Sequence, residues 1–189
     1  MKHAREAALA LTAILGLAAC ERSYLTWTPR EPLSARRGRV SVAVEDHRAG
    51  DKRALGRAFG WGGVPRDILV DGDHVRARIE RLAKEATVTA GLGLPAPAEE
   101  PTSRLHLDID ALSCDGLDLT ARATLSVRFS ITTPEDEPRL PTQVIDARGK
   151  GHGCQDALGV ALDVLLDELA ARLVEGPAHD AALGTTLGA

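Results

Sequence analysis

The sequence predicts an α+β domain of two layers, in which two helices pack on one face of a mainly antiparallel sheet. Two observations carry this prediction. Apolar residues alternate with polar ones in four segments, which is typical of strands with one buried face, and they recur at helical spacing in two others. The order of these segments along the chain is β-α-β-β-β-α. Because the helices and the sheet each have an apolar face to cover, we expect them to pack against each other.

The alternating segments define the strands. We expect strands at residues 40–44, 105–111, 119–131 and 142–150. The second and third strands are joined through Asp115-Gly116. The apolar residues of both strands have odd numbers and must face each other, so the loop must have an odd length, and the three residues Cys114-Asp115-Gly116 satisfy this. That register would place Asp108 opposite Arg122.

The two helices are indicated by apolar residues three and four positions apart. Asp73 can cap the first helix, which we expect to end near Gly91. Its buried stripe would consist of Val75, Ile79, Leu82 and Ala86. The last helix is expected from about Gln155 to Val174. Its apolar residues are Leu158, Ala161, Leu162, Leu165, Leu169 and Leu173.

The N-terminus reads as an export signal. Lys2, His3 and Arg5 precede an apolar run over residues 7–19, which is shorter than the ~20 residues that a membrane-spanning helix needs. The run leads into Leu17-Ala18-Ala19-Cys20, which resembles the lipobox of bacterial lipoproteins. This resemblance implies that residues 1–19 are removed and that acyl chains on Cys20 hold the protein at a membrane.

The residue after the cysteine bears on which membrane this is. In the enterobacterial lipoproteins that the N-terminus resembles, Asp at this position favours the inner membrane, whereas this chain has Glu21. We therefore expect the outer membrane, facing the periplasm, if the source has two membranes.

The chain divides into four parts by composition. Residues 1–19 form the signal peptide, and residues 20–38 form a flexible tether with scattered proline and arginine. Residues 39–175 form a single domain. Residues 176–189 begin with Gly-Pro, are rich in alanine and glycine, and are expected to be a disordered tail.

Charge and cysteine content limit the classes of function. The formal net charge is −4, which argues against a nucleic-acid partner. Export places Cys114 and Cys154 in an oxidising compartment, and the predicted strand order brings both to the same end of the sheet, so we expect a disulfide between them. The alternative is two separate buried thiols.

Several motifs suggest chemistry only weakly. Gly149-Lys150-Gly151-His152-Gly153 lacks the context of a phosphate-binding loop, and His152 with Cys154 supplies too few ligands for a metal. Carboxylates and imidazoles that could transfer protons are Asp46, His47, Asp71, Asp73 and His74. Solvated loop charge explains them more simply. We expect no catalytic residues, no cofactor and no metal.

The segment from Arg48 to Gly72 is too long for a plain connection, and long loops are often functional. It contains Phe59 and Trp61 among glycines, and tryptophan is a favoured anchor in protein interfaces. We take Arg48, Phe59 and Trp61 as candidate contacts with a partner. The alternative, that the aromatic residues fold back over the sheet edge, stays open, and the polar face of the sheet could also dock a protein.

The order of features along the chain resembles the YajG-type family of small bacterial lipoproteins. These features are a lipobox and tether, a valine-rich strand ending in Asp46-x-Arg48, a glycine-rich loop, a helix, three strands and a closing helix. The pattern also resembles auxiliary lipoproteins of ABC transport systems. The resemblance implies a periplasm-facing domain without catalytic residues, acting as a subunit of an envelope or transport assembly.

We therefore expect a non-enzymatic accessory lipoprotein with the membrane and an envelope protein as its partners. Two alternatives stay open. A carrier of a lipid or other apolar ligand would need an apolar pocket of several hundred Å³ between sheet and helices. A small hydrolase would need Asp46, His47 or His74 to converge in one cleft.

Overall fold

The computed structural model describes residues 37–59, 65–70, 72–117, 120–174 and 176–184. The strands are β1 (Arg37–Asp46), β2 (Ala54–Phe59), β3 (Pro65–Leu69), β4 (Leu92–Gly93), β5 (Ser103–Leu117), β6 (Thr120–Thr132) and β7 (Pro138–Gly151). The helices are α1 (Gly72–Thr89), α2 (Cys154–Val174) and α3 (Gly176–Leu183). In this part of the chain, no helix is both long and apolar enough to cross a membrane.

Strand β5 organises the sheet. Along one side it pairs antiparallel with β6, which pairs antiparallel with β7. Along the other side, the first half of β5 pairs in parallel with β1. The last two residues of β5 pair in parallel with the end of β2. Strand β3 pairs antiparallel with β2, and β4 is parallel to the start of β1. The expected α+β class is confirmed.

The main core lies between the sheet and helices α1 and α2. Its largest fully buried side chains are aliphatic apart from Phe129. The stripe expected on α1 is buried, and so are the six apolar residues expected on α2. Because both helices contact the same apolar face, the other face of the sheet carries the polar side chains. We call it the polar face.

The predicted register between the second and third strands is wrong. Residues 114–116 belong to β5, and Asp108 is paired with Arg128 rather than with Arg122. A bulge between Ile109 and Ala111 inserts one residue, and this reverses the alternation. Ala111 is therefore exposed while Cys114 is fully buried. A parity argument cannot detect such an insertion, because it assumes unbroken alternation.

The segment from Arg48 to Gly72 is not a plain loop, because it contains the β2–β3 hairpin. Among the described residues of this segment, only Arg48 and Leu55 are buried. Each strand is short and carries charged side chains outward. The hairpin therefore lacks the run of alternating apolar residues from which strands are normally predicted.

The expected disordered tail is wrong for residues 176–183, which form α3. Ala178, Ala181 and Ala182 are buried against the core. The hydroxyl oxygen of the buried Ser103 lies 2.9 Å from the carbonyl oxygen of Ala182, and Arg139 Nη1 donates to Ser103 Oγ at 2.7 Å. These contacts satisfy carbonyl groups that a helix C-terminus leaves without partners. Residues 185–189 lie outside the described residues.

The glycines at the end of β7 let α2 approach the sheet closely. A Cβ atom on Gly149 would lie 1.9 Å from the carbonyl oxygen of Ala157, and one on Gly151 would lie 2.4 Å from Asp156 Cβ. The glycine-rich sequence at residues 149–153 thus has a packing role, which accounts for it without a phosphate ligand.

We predict opposite effects for two glycine-to-alanine changes. Gly149→Ala should lower the free energy of unfolding by about 3 kcal/mol, because the new methyl group collides with the α2 backbone. Gly159→Ala, within α2, meets nothing within 4 Å and should raise it by about 0.5–1 kcal/mol. Urea unfolding of both variants checks this. Equal effects would contradict the close packing of β7 against α2.

Candidate functional site

The expected disulfide is confirmed. Cys114 and Cys154 are bonded, with their Cα atoms 5.8 Å apart and a separation of 40 residues in sequence. Cys114 lies near the end of β5, and Cys154 is the first residue of α2. The bond therefore joins the central strand directly to the start of the helix that covers it.

Small residues surround the disulfide and form a second core, which we call the disulfide cluster. Its buried members are Leu55, Cys114, Ala121, Ala123, Ala157, Leu158 and Ala161. Ile68, Val70, Leu112 and Cys154 are partly buried against them. Because Leu55 lies on β2 and Ile68 on β3, both strands of the hairpin are packed onto the domain through this cluster.

The backbone of β2 lies directly against β5 at the disulfide. Gly56 has φ +147°, and a Cβ atom there would be 2.2 Å from the carbonyl oxygen of Cys114. Only glycine adopts this conformation easily and leaves room for the contact. The base of the hairpin is thus fixed by a close backbone approach as well as by Leu55.

Several side chains of the hairpin face solvent. Arg57 Nε lies 3.4 Å from Asp67 Oδ1 across the two strands, and Leu69 is 66% exposed. Strand β2 ends at Phe59, whose backbone is paired with Pro65, and the connection between the strands is residues 60–64. Trp61 belongs to that connection and lies outside the described residues, as does the lipidation candidate Cys20.

The expectation that Arg48 contacts a partner is wrong, because its side chain is buried. Arg48 Nε donates to Asp46 Oδ1 at 3.0 Å and Nη2 to Asp46 Oδ2 at 2.8 Å, and both side chains are less than a tenth exposed. Even-numbered residues of β1 point to the core, and this alternation continues through Asp46 to Arg48. A buried guanidinium needs such a two-point partner.

This ion pair closes the turn between β1 and the hairpin. Arg48 Nη2 donates to the carbonyl oxygen of Lys52 at 2.5 Å, and Lys52 Nζ donates to the carbonyl oxygen of Asp46. Burial raises the pKa of Asp46, but hydrogen bonds from Arg48 and the charges of Arg48 and Lys52 outweigh this, so the pKa is below its ordinary value.

Among the described proton-transfer candidates, the neighbours Asp46 and His47 lie on opposite faces of the sheet. Asp46 is engaged by Arg48 on the core side of β1, whereas His47 lies on the polar face. His74 is exposed in the first turns of α1. Asp71 lies outside the described residues, as does the side chain of Asp73. His152 is exposed and Cys154 is bridged, so they do not form a thiolate-imidazole pair.

One pocket among the described residues does not match the apolar cavity that a carrier would need. It is a solvent-open depression of about 340 Å³ between β7, α2 and α3. Its lining is Gln143, Glu168, Ala171, Arg172, Pro177 and Ala178. Arg172 crosses this depression and donates to the carbonyl oxygen of Val144 and to Glu168. In the described part of the chain, side chains from the sheet and from α1 and α2 pack together in one buried core.

The sequence analysis missed Leu55 and Gly56, which fix the hairpin. The two strands flank a glycine-rich stretch, but the apolar residues of 55–59 and 68–70 do not alternate with polar ones, so the usual signal of a strand is missing. It also missed that Glu45 and His47 lie on the polar face beside Asp108, which only the pairing of β1 with β5 reveals.

We predict that the buried ion pair makes stability depend on acidic pH. Folding lowers the pKa of the Asp46 carboxyl group. The carboxylate therefore contributes its full stabilisation above the pKa of the unfolded chain, about 3.9, and this stabilisation is lost as pH falls through the pKa of the folded protein. Asp46→Asn should lower the free energy of unfolding by about 3 kcal/mol at pH 7, and by much less at pH 2.5.

Urea unfolding at pH 7, 4 and 2.5 checks this prediction. The matched control is Asp51→Asn, whose side chain is 58% exposed and lies 3.7 Å from Arg53. The control should change stability by less than about 0.5 kcal/mol. If Asp46→Asn lowers the free energy of unfolding by the same amount at all three pH values, the role of the ion pair is contradicted.

Comparison with known proteins gives structural similarity only. No family model matches the sequence, and neither does any curated protein. The fold is similar to a Xanthomonas campestris protein of family DUF330 (TM-score 0.48, 12% identity, covering 79% of this chain and 88% of that one). It is also similar to a PelC variant dodecamer from Paraburkholderia phytofirmans (TM-score 0.39, 13% identity, covering 80% of this chain and 92% of that one). A candidate lipoprotein from Caulobacter crescentus is similar as well (TM-score 0.34, 12% identity, covering 74% of this chain and 87% of that one).

Proposed function

We propose that the protein is a lipid-anchored accessory protein of the bacterial cell envelope, which docks a protein partner through the β2–β3 hairpin. One observation carries the proposal. The hairpin is fixed by the disulfide cluster and Gly56, while its side chains Arg57, Asp67 and Leu69 are exposed. A firmly held element that presents free surface is suited to recognition, because little conformational entropy is lost when it binds.

The composition of the hairpin supports a protein as the partner. Leu69 is a large exposed apolar side chain, and the connection after Phe59 contains Trp61. Aromatic residues commonly supply most of the binding energy in protein interfaces. Within the described residues β3 is paired on one side alone, so its other edge can also accept an extended segment of a partner.

The lipid anchor rests on the sequence. Leu17-Ala18-Ala19-Cys20 supports acylation at Cys20, and Glu21 supports the outer membrane where the source has two. A carrier role has less support, since the depression between β7, α2 and α3 is open and partly polar. A non-enzymatic role agrees with the engagement of Asp46 by Arg48, which removes it as a base for His47.

Photocrosslinking in native envelopes tests the docking role. A photoreactive amino acid replaces Trp61 in the full-length precursor, and Val160 in a control, since Val160 is 45% exposed and lies on α2 rather than on the hairpin. We expect a protein adduct at position 61 that is absent at position 160. Trp61→Ala should then reduce co-purification of the same protein about 30-fold, the effect of losing about 2 kcal/mol.

The Cys20→Ser variant separates docking from anchoring. Its purified domain should leave the membrane fraction yet still bind the identified partner through the hairpin. Lipid adducts alone at position 61, or the same protein adduct at both positions, would contradict docking through the hairpin.

A further inference from the structure

We propose that Glu45, His47 and Asp108 form a binding site for a divalent transition-metal ion, with Zn²⁺ as the best match. Glu45 and Asp108 are paired residues of the parallel strands β1 and β5, so they are neighbours on the polar face. His47 lies two residues after Glu45, and its backbone N–H donates to the carbonyl oxygen of Ile109 at 3.0 Å. This hydrogen bond continues the ladder and holds His47 on the same face.

The donor atoms are spaced as they would be around one ion. His47 Nε2 lies 3.1 Å from Glu45 Oε2 and 3.3 Å from Asp108 Oδ1, and the three donor atoms are all within 4.8 Å of one another. Zinc bonds of about 2.0–2.2 Å in a tetrahedral arrangement place ligand atoms about 3.3–3.5 Å apart. Small rotations of exposed side chains would therefore bring all three atoms to bonding distance without movement of the strands.

The ligands are held from two sides. Asp108 turns Oδ1 toward His47, while its Oδ2 lies 3.9 Å from Arg128 Nη2. Arg128 is itself held by Asp110 through contacts of 2.6 and 2.8 Å. On the core side of β1, the pair between Asp46 and Arg48 fixes the backbone on both sides of His47. Such supporting contacts orient metal ligands before an ion arrives.

The ligand set favours zinc over the common hard cations. An imidazole nitrogen with two carboxylates suits Zn²⁺, whereas Mg²⁺ and Ca²⁺ prefer oxygen ligands alone. The three side chains are 33% to 68% exposed, so water or an external ligand can complete the coordination.

The test is a zinc titration of the full-length mature protein, free of any histidine tag, in competition with a chromophoric chelator. We expect one Zn²⁺ per chain, with at least tenfold weaker binding in His47→Ala and in Asp108→Asn. The matched control is His106→Ala, a histidine on the same face of β5 that lies 3.6 Å from Asp136. The zinc affinity of this control variant should stay within twofold of that of the unmodified protein. A large excess of Mg²⁺ should not displace the zinc.

Circular dichroism and the cobalt spectrum make the result decisive. The far-UV spectra of all variants should match, so that lost binding reflects lost ligands. Co²⁺ in the unmodified protein should give visible absorption bands that are absent in His47→Ala. The proposal is overturned if zinc does not bind saturably, or if His47→Ala binds it as tightly as His106→Ala does. The inference is independent of the docking role of the hairpin.

Discussion

The bond between Cys114 and Cys154 is the constraint on which the arrangement of this domain depends. It joins the end of the central strand to the start of the helix above it. In the chain-entropy model, closing a loop of this length stabilises the fold by about 4 kcal/mol. The alanines around the bond bury little apolar area each, so this end of the domain relies on the covalent link more than the leucine-rich main core does. The hairpin is attached at this end.

Strand β1 illustrates how one short sequence serves two faces. Asp46 and Arg48 point to the core and close the turn that leads into the hairpin, whereas Glu45 and His47 point to the polar face beside Asp108. The buried ion pair is costly to form unless both partners are fully engaged, and here the two-point contact and the Lys52 backbone satisfy it. The same pair thereby positions the next element of the chain and the residues of the proposed metal site.

Much of the fold could be predicted from the sequence, because the helices and the long strands bury regular apolar stripes. The stripes of Val75 to Ala86 and Leu158 to Leu173, the α+β class and the disulfide are all confirmed. The bulge after Ile109 could not be predicted, because a single inserted residue leaves no compositional trace. The hairpin and α3 were missed because they are held by glycine contacts and alanine packing rather than by apolar periodicity. The hairpin was anticipated only as a loop, and Arg48 was assigned to the surface because charged residues are usually exposed.

Hydrogen exchange with and without reductant tests the dependence of the hairpin on the disulfide cluster most directly. With the bond intact, amides of β2 and β3 that are paired with each other should exchange slowly. Reduction of Cys114 and Cys154 should speed their exchange at least tenfold, while the β6 amides near Val127 in the main core change much less. If β2 and β3 exchange at the same rate in both states, or exchange rapidly even with the bond intact, the hairpin is not held by this cluster.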